Sequence, residues 1–159
     1  MIVAKQVATK VADEVWIAAA LLQRERPERA DFSVEEIVAR AHALGFKRPG
    51  VYVHAVQHCV ANRPPNPGRY RMLLETAPGR RRLYRPGDPS DPGRAGSKTT
   101  PKAEEMPPRW RDLLGWYEQW KRTARAEPDP LLALVGTGRE IWADEHADEY
   151  IERLRSDWE

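Results

Sequence analysis

The sequence predicts a mainly α-helical fold of the α+β class, with three helices, a small β-hairpin and a helical extension at the C-terminal end. Apolar residues recur at helical spacing in three segments of the first half, and two short β-prone runs then flank a Pro-Gly turn. Ten of the fourteen prolines lie between Pro64 and Pro108, a density that opposes regular structure. We therefore predict a domain over residues 1–87, a Pro/Gly-rich linker over 88–108 and a helical partner-binding segment over 109–159.

The first helix is predicted over residues 3–24. Its apolar residues recur every three or four positions, at Val7, Val11, Val15, Ala18 and Leu22. Pro27 ends the helix or keeps it from resuming, because a proline disfavours the helical conformation of the residue before it.

The second helix is predicted over residues 34–44. Ser33 is a good N-cap and Glu36 follows it by three residues, which is the pattern of a capping box. Gly45 stands where a helix commonly ends in a left-handed residue. Local signals thus define both ends of this helix.

A third helix is predicted over residues 50–62, and its end is marked by the stop signal Arg63-Pro64-Pro65. The apolar stripe of this helix is predicted at Tyr52, Val56, Cys59 and Val60. The residues that then face away from the core are Val53, His54, Gln57, His58 and Ala61.

Two β-prone runs follow, over residues 69–76 and 81–85, with a turn signal at Ala77-Pro78-Gly79-Arg80 between them. Three helices followed by a hairpin is the element order of a winged helix–turn–helix. In that fold the third helix enters the DNA major groove, and the hairpin contacts the backbone or the minor groove.

Charge is divided along the chain. Residues 45–102 contain twelve Lys/Arg and three Asp/Glu, whereas residues 103–159 contain eight Lys/Arg and fourteen Asp/Glu. A cationic middle favours a polyanionic partner, and an acidic, aromatic-rich tail favours a protein partner. The alternative is that the arginines form the solvated face of an ordinary small domain.

The predicted DNA contacts lie on the third helix, around it and on the hairpin. Base edges would be read by His54, Gln57 and His58, since glutamine pairs with adenine and histidine donates or accepts. Phosphate contacts are predicted at Lys47, Arg48, Arg63, Arg69, Arg71, Arg80, Arg81, Arg82 and Arg85. The three consecutive arginines at the hairpin tip strengthen this prediction, because like charges there cost stability unless an anion offsets them.

The sequence predicts no catalytic site, no metal site and no cofactor. His54 and His58 have the spacing of zinc ligands on a helix, but Cys59 lies on the apolar stripe and no second Cys/His pair is near. Magnesium-dependent chemistry needs clustered carboxylates, which the basic middle lacks. The single cysteine excludes an intrachain disulfide, and no apolar run is long enough to span a membrane. Both features favour a cytoplasmic protein.

Residues 129–158 resemble the C-terminal tail of bacterial antitoxins that neutralise PIN-domain ribonuclease toxins, through the elements D-P-L-L-x-L, E-I-W and Y-I-x-x-L-R. The resemblance implies a tail that wraps a toxin and blocks its acidic, magnesium-dependent active site, with Arg139 or Arg153 reaching the toxin's carboxylates. The partner-binding residues implied in this way are Leu131, Leu134, Arg139, Ile141, Trp142, Tyr150, Arg153, Leu154 and Trp158.

Residues 11–87, with Val-Tyr-Val-His-Ala-Val-Gln-His-Cys-Val-Ala-Asn-Arg-Pro at 51–64, resemble winged-helix modules of uncharacterised bacterial proteins and of some restriction-associated proteins. Antitoxins with such tails usually carry a swapped β-barrel or a ribbon-helix-helix instead. Together the two resemblances imply a bacterial antitoxin and transcriptional autorepressor that binds operator DNA and a toxin. The aromatic helix predicted over 109–125 is a candidate surface for a homodimer.

Two alternatives remain at this point. The first is a winged-helix regulatory module of a restriction or defence system, with a structural C-terminus and no toxin. The second is an enzyme of unidentified type.

Overall fold

The computed structural model describes residues 8–123 and 147–156, and in the second range it describes no side chain for residues 147–150 and 154. The chain divides into two compact units, Met1–Arg122 and Thr123–Glu159. The first unit combines helices with a three-stranded antiparallel sheet, so the predicted α+β class is confirmed.

Helix α1 spans Val11–Glu25 and is buried on every side, since all side chains over residues 12–23 are inaccessible to solvent. Such a helix needs neighbours all round, and the second helix, the third helix and the sheet supply them. Residues 8–10 precede the helix, because Lys10 adopts an extended backbone as its N-cap. The predicted start at residue 3 was therefore too early, and residues 1–7 lie outside the described part.

Strand β1 (Phe32–Ser33) leads into helix α2 (Val34–Ala43). The predicted capping box is present. The Ser33 hydroxyl accepts a hydrogen bond from the N–H of Glu36 at 3.1 Å, and the Glu36 carboxylate accepts one from the N–H of Ser33 at 2.8 Å. Gly45 follows the helix with φ at +92°, a conformation that glycine adopts at little cost, so the predicted C-terminal signal is also confirmed.

The capping carboxylate gives a pH-dependent contribution to stability. The Arg29 guanidinium donates two hydrogen bonds to Glu36, at 2.6 and 2.9 Å, and with the cap it lowers the pKa of Glu36 from 4.5 to about 2. Because the folded pKa lies below the unfolded one, this stabilisation is complete above pH 4.5 and is lost as pH falls from 4.5 to about 2.

We expect Glu36→Gln to flatten the decline of melting temperature over that pH range, because glutamine keeps a capping acceptor and loses the charge. The exposed neighbour Glu35→Gln is the control and should melt like the wild type at each pH. If the melting temperature of Glu36→Gln fell as steeply between pH 4.5 and about 2 as that of the wild type, this account of the cap would be contradicted.

Helix α3 (Gly50–Val53) widens into a π-helical turn (His54–His58), and we call the two together the third helix. Such turns are rare and are frequent at functional sites. The third helix ends before the predicted residue 62, because Val60 already pairs with Leu73 in a β-bridge.

Strands β2 (Leu73–Ala77) and β3 (Arg80–Leu83) form the predicted hairpin. The three strands pair antiparallel in the order β1-β3-β2, so the last of the three lies in the middle of the sheet. Gly79 has φ at +72° in the hairpin turn, as tight turns between strands require.

The predicted linker over residues 88–108 is an integral part of the first unit. Arg94 and Met106 within it have no exposed surface. Its regular pieces are short 3-10 helices at Pro92–Arg94, Ala103–Glu105 and Pro108–Trp110. A high density of prolines opposes long helices and strands, but an irregular chain can still bury side chains. The composition therefore did not show that this segment is packed into the domain.

Helix α4 (Asp112–Thr123) lies within the predicted helix over 109–125, but its buried side chains join the core of the first unit. Tyr117 packs edge-on against Trp16, with 5.7 Å between the ring centroids, and its hydroxyl donates to a backbone carbonyl. The structure therefore departs from the predicted boundary before residue 109. In the second unit, helix α5 spans Ala147–Ser156.

Within residues 8–123 and 147–156, none of the helices has the length and apolar character that crossing a membrane requires.

Candidate nucleic-acid interface

The third helix is anchored by small side chains at every fourth position. Val51, Ala55 and Cys59 are completely buried. The predicted stripe was right for Cys59 and Val60, which are completely buried, and in part for Val56, which packs partly buried against the core. It was wrong for Tyr52, which is exposed, and for Ala61, which was predicted to face away and is completely buried. Small inward residues let the third helix approach α1 closely, which a tyrosine at the contact would prevent.

The opposite face of the third helix turns two large hydrophobic side chains to solvent. Tyr52 is 56% exposed and Val53 is 43% exposed. His54 and Gln57, two of the three predicted base readers, are half-buried beside them. The solvent-facing surface of this helix therefore mixes apolar and polar groups, as a surface that reads base edges does.

The backbone fixes the tautomer of His54. Its Nδ1 lies 2.8 Å from the carbonyl oxygen of Gly50, which can only accept, so the proton sits on Nδ1. Burial lowers the pKa of His54 below its usual 6.5, so the ring is neutral at pH 7 and Nε2 accepts. In a major groove such an acceptor complements the amino group of adenine or of cytosine.

Gln57 is hydrogen-bonded within the fold, and the Nδ1 of His58 is buried without a hydrogen-bond partner. The Gln57 side-chain amide donates to the carbonyl of Pro64 at 2.6 Å. The backbone of Gly68 packs directly on His58, where a Cβ on the glycine would lie only 2.5 Å from the His58 Cβ. Of the three predicted base readers, His54 is therefore the best placed to meet a ligand.

The cations around the third helix are the accessible ones. Lys47 and Arg69 are exposed. The side chain of Arg48 is 52% exposed, although it is ion-paired with a carboxylate of α1. Between Glu36 and Glu75 the sequence contains no acidic residue. This stretch of sequence thus carries accessible positive charge and no acidic residue, and the carboxylate that pairs with Arg48 is Glu14 of α1.

Arg81 does not serve as the predicted phosphate contact, because it is 1% exposed. Its guanidinium donates to the carbonyls of Ala55 and Val56 and lies 2.9 Å from the carboxylate of Glu75. Burial lowers its pKa. A guanidinium enclosed in this way ties the hairpin to the third helix and cannot reach a phosphate on the outside.

The two arginines that flank it also have internal counter-charges. Arg80 pairs with Asp31 at 2.6 Å, and Arg82 forms two hydrogen bonds with Asp88, at 2.7 and 2.8 Å. The like charges of the hairpin are therefore offset by carboxylates of the same chain. The inference that they need an external anion was wrong.

The other predicted phosphate contacts likewise have partners in the fold. Arg63 pairs with Glu75 at 2.7 Å, and Arg71 donates to a backbone carbonyl at 2.9 Å. The guanidinium of Arg85 lies over an aromatic ring of α4, 5.1 Å from its centroid. Among the predicted phosphate contacts, the exposed ones therefore lie near the third helix and not along the hairpin.

Arg94, which no sequence pattern indicated, holds the end of the third helix. All five of its N–H donors bond backbone carbonyl oxygens, at distances from 2.6 to 3.2 Å. The carbonyls are those of Gln57, His58, Arg63, Pro64 and Tyr70. One side chain from the Pro/Gly-rich segment thus fixes the third helix to the loop that follows it.

A metal site finds no support in the geometry. The rings of His54 and His58 are 4.9 Å apart, but in the described part of the chain no three His, Cys, Asp or Glu side chains come together as metal ligands. Cys59 is buried on the other face of the helix, and burial raises the pKa of its thiol. It is a core residue and not a ligand or a nucleophile.

Most of the predicted partner-binding residues lie outside the described ranges. These are Leu131, Leu134, Arg139, Ile141, Trp142 and Trp158. Tyr150 and Leu154 are on helix α5, but their side chains are not described, and Arg153 on the same helix is exposed.

Comparison of the chain with known protein families, with curated proteins and with solved structures finds no match. The function proposed below is therefore inferred from the structure of this chain.

Proposed function

We propose that the first unit is a winged-helix domain that binds double-stranded DNA, and that the chain acts in the bacterial cytoplasm as a transcriptional repressor. The observation that carries the proposal is the third helix. It is anchored on one side by Val51, Ala55 and Cys59, and it turns Tyr52 and Val53 outward in a stretch of sequence without acidic residues. The residues at the start of a recognition helix are those that contact base edges.

The arrangement of the elements supports the same conclusion. Helix α1, strand β1, helix α2, the third helix and the hairpin follow one another in the order of a winged helix–turn–helix. The hairpin next to the third helix corresponds to the wing. Because its arginines are occupied internally, we assign the wing a minor part and assign the phosphate contacts to Lys47, Arg48 and Arg69.

DNA binding is tested by the salt dependence of affinity. We expect the full chain to bind duplex DNA with an affinity that falls steeply with salt, because neutralised phosphates release counterions. Lys47→Gln and Arg69→Gln should each weaken binding for any sequence and lower the slope of log K against log salt by about 1. Fluorescence anisotropy with labelled duplexes measures both quantities.

The control for charge alone is Arg26→Gln. Arg26 is exposed beyond the C-terminal end of α1, whereas Gly50 of the third helix packs on Val11 at the other end. The Arg26→Gln substitution should leave the DNA affinity and its salt slope unchanged. Equal effects of all three substitutions would mean that no defined DNA surface exists, and an absence of salt-dependent binding would overturn the proposal.

For the C-terminal segment we propose toxin neutralisation, which rests on the resemblance of residues 129–158 to antitoxin tails. Exposed Arg153 is the described residue that such a tail would present to a toxin's carboxylates. Affinity capture from the source organism, with the full chain and with residues 1–123, tests it. A small ribonuclease retained by the full chain alone supports the antitoxin. If neither retains a stoichiometric protein, a DNA-binding module without a toxin is the better account.

A further inference from the structure

Two of the exposed hydrophobic side chains stand next to each other on the proposed recognition surface. Among the described residues the large hydrophobics that are exposed are Tyr52, Val53 and Ile151. Tyr52 and Val53 belong to the first turn of the third helix, which is otherwise well packed. Large apolar groups held outward on a rigid element, one after the other, indicate a surface that meets a ligand.

The surroundings select the kind of ligand. Lys47 and Arg48 precede the helix, and no acidic residue occurs in the sequence from Ile37 to Leu74. The carboxylate that pairs with Arg48 is that of Glu14 on α1, which is buried. Positive charge beside a pair of apolar side chains complements the DNA major groove, where phosphates flank the base edges. This step rests on the proposed DNA binding.

The chemistry of Val53 then selects the base. Its side chain has no polar atom, and the group in the major groove that an apolar side chain complements is the 5-methyl of thymine. Gln57, one turn further along the same face, is already bonded to the carbonyl of Pro64. The Gln57 amide is therefore not free to hydrogen-bond the base that Val53 contacts.

We infer that Val53, with Tyr52 beside it, is a specificity-determining residue that contacts the 5-methyl of a thymine, so that the preferred duplex has an A·T pair at that position. His54 Nε2, an acceptor on the same turn, meets the amino group of a neighbouring adenine or cytosine. The first turn of the third helix thus recognises the DNA sequence mainly through apolar contact with a thymine methyl group.

The test replaces thymine by uracil, which differs only in that methyl group. The full chain first selects duplexes from a randomised pool, and each thymine of the selected duplex is then replaced in turn. For the wild type we expect one position at which uracil weakens binding about fourfold, the worth of about one buried methylene. Val53→Ala should bind the thymine duplex more weakly and show no further loss with uracil there, because the contact has already been removed.

Ile151→Ala is the matched control, since Ile151 is 46% exposed and Val53 43%. It should keep the wild-type response to uracil. If the chain selects a duplex but Val53→Ala keeps the full uracil effect, or no thymine responds, the inference is overturned while DNA binding stands. If the pool does not bind in a salt-dependent way, the proposed function itself fails, and the apolar pair belongs to a contact of another kind.

Discussion

Replacing Arg94 by methionine is expected to cause the largest loss of stability of any single substitution described above. The five donors of its guanidinium all bond carbonyl oxygens, and the side chain has no exposed surface. Methionine has a similar length and no donors, so it would leave buried carbonyls unpaired. A buried acceptor left without a hydrogen bond costs about 1–3 kcal/mol, and several carbonyls lose their donor here, so the loss is a large part of the stability of a domain.

Two further substitutions separate this effect from loss of charge. Arg94→Lys keeps the charge but has three donors instead of five, so it should recover only part of the lost stability. Arg69→Met removes an exposed arginine and should change the free energy of unfolding by less than about 0.5 kcal/mol. Urea unfolding followed by circular dichroism measures all three. Near-wild-type stability in Arg94→Met would show that water or the backbone can replace the guanidinium.

Arg94 also illustrates which parts of the fold could be predicted. The capping box of Ser33 and Glu36, the end of α2 at Gly45 and the turn at Gly79 were all correct, because each depends on neighbours within a few residues. A lone arginine among prolines and glycines gives no such local signal. Its partners come from residues 57–70, and only the folded chain brings them together.

The candidate site shows the same limit. Charge along the sequence predicted a cationic hairpin, but Asp31 and Asp88 neutralise Arg80 and Arg82 across distances that no sequence pattern reveals. Helical spacing gave the right period for the third helix but misplaced Tyr52 and Ala61, because stripes that begin at Val51 or at Tyr52 both fit the pattern. Packing against α1 decides between them, and this decision turns Tyr52 and Val53 outward.

A chain that ends at residue 100 is expected to fail to fold, whereas a chain of residues 1–123 should unfold cooperatively. The shorter chain lacks four core side chains that the structure buries, namely Met106, Trp110, Leu113 and Tyr117. Truncating one such residue to alanine costs about 2–5 kcal/mol. Their combined loss, about 8–20 kcal/mol, is as large as the roughly 5–15 kcal/mol by which a domain is stable.

Fluorescence gives a clean measurement, because the shorter chain keeps one of the six tryptophans, Trp16. In the fold Trp16 is completely buried and contacts Tyr117. We expect the shorter chain to emit at the wavelength of an exposed indole and to melt without a transition. Leu113→Ala in the 1–123 chain should lie between the two, and Arg122→Ala, at an exposed position, should match the parent.

A cooperative transition and a buried Trp16 in the shorter chain would mean that residues 101–123 are dispensable for the fold. The opposite result assigns these residues to the proposed DNA-binding domain and not to the partner-binding tail. If a chain truncated before residue 101 then failed to bind DNA, the cause would be unfolding of the domain and not the removal of a DNA contact. Only cuts after residue 123 separate the two proposed activities, because they leave the buried face of α4 in place beneath α1.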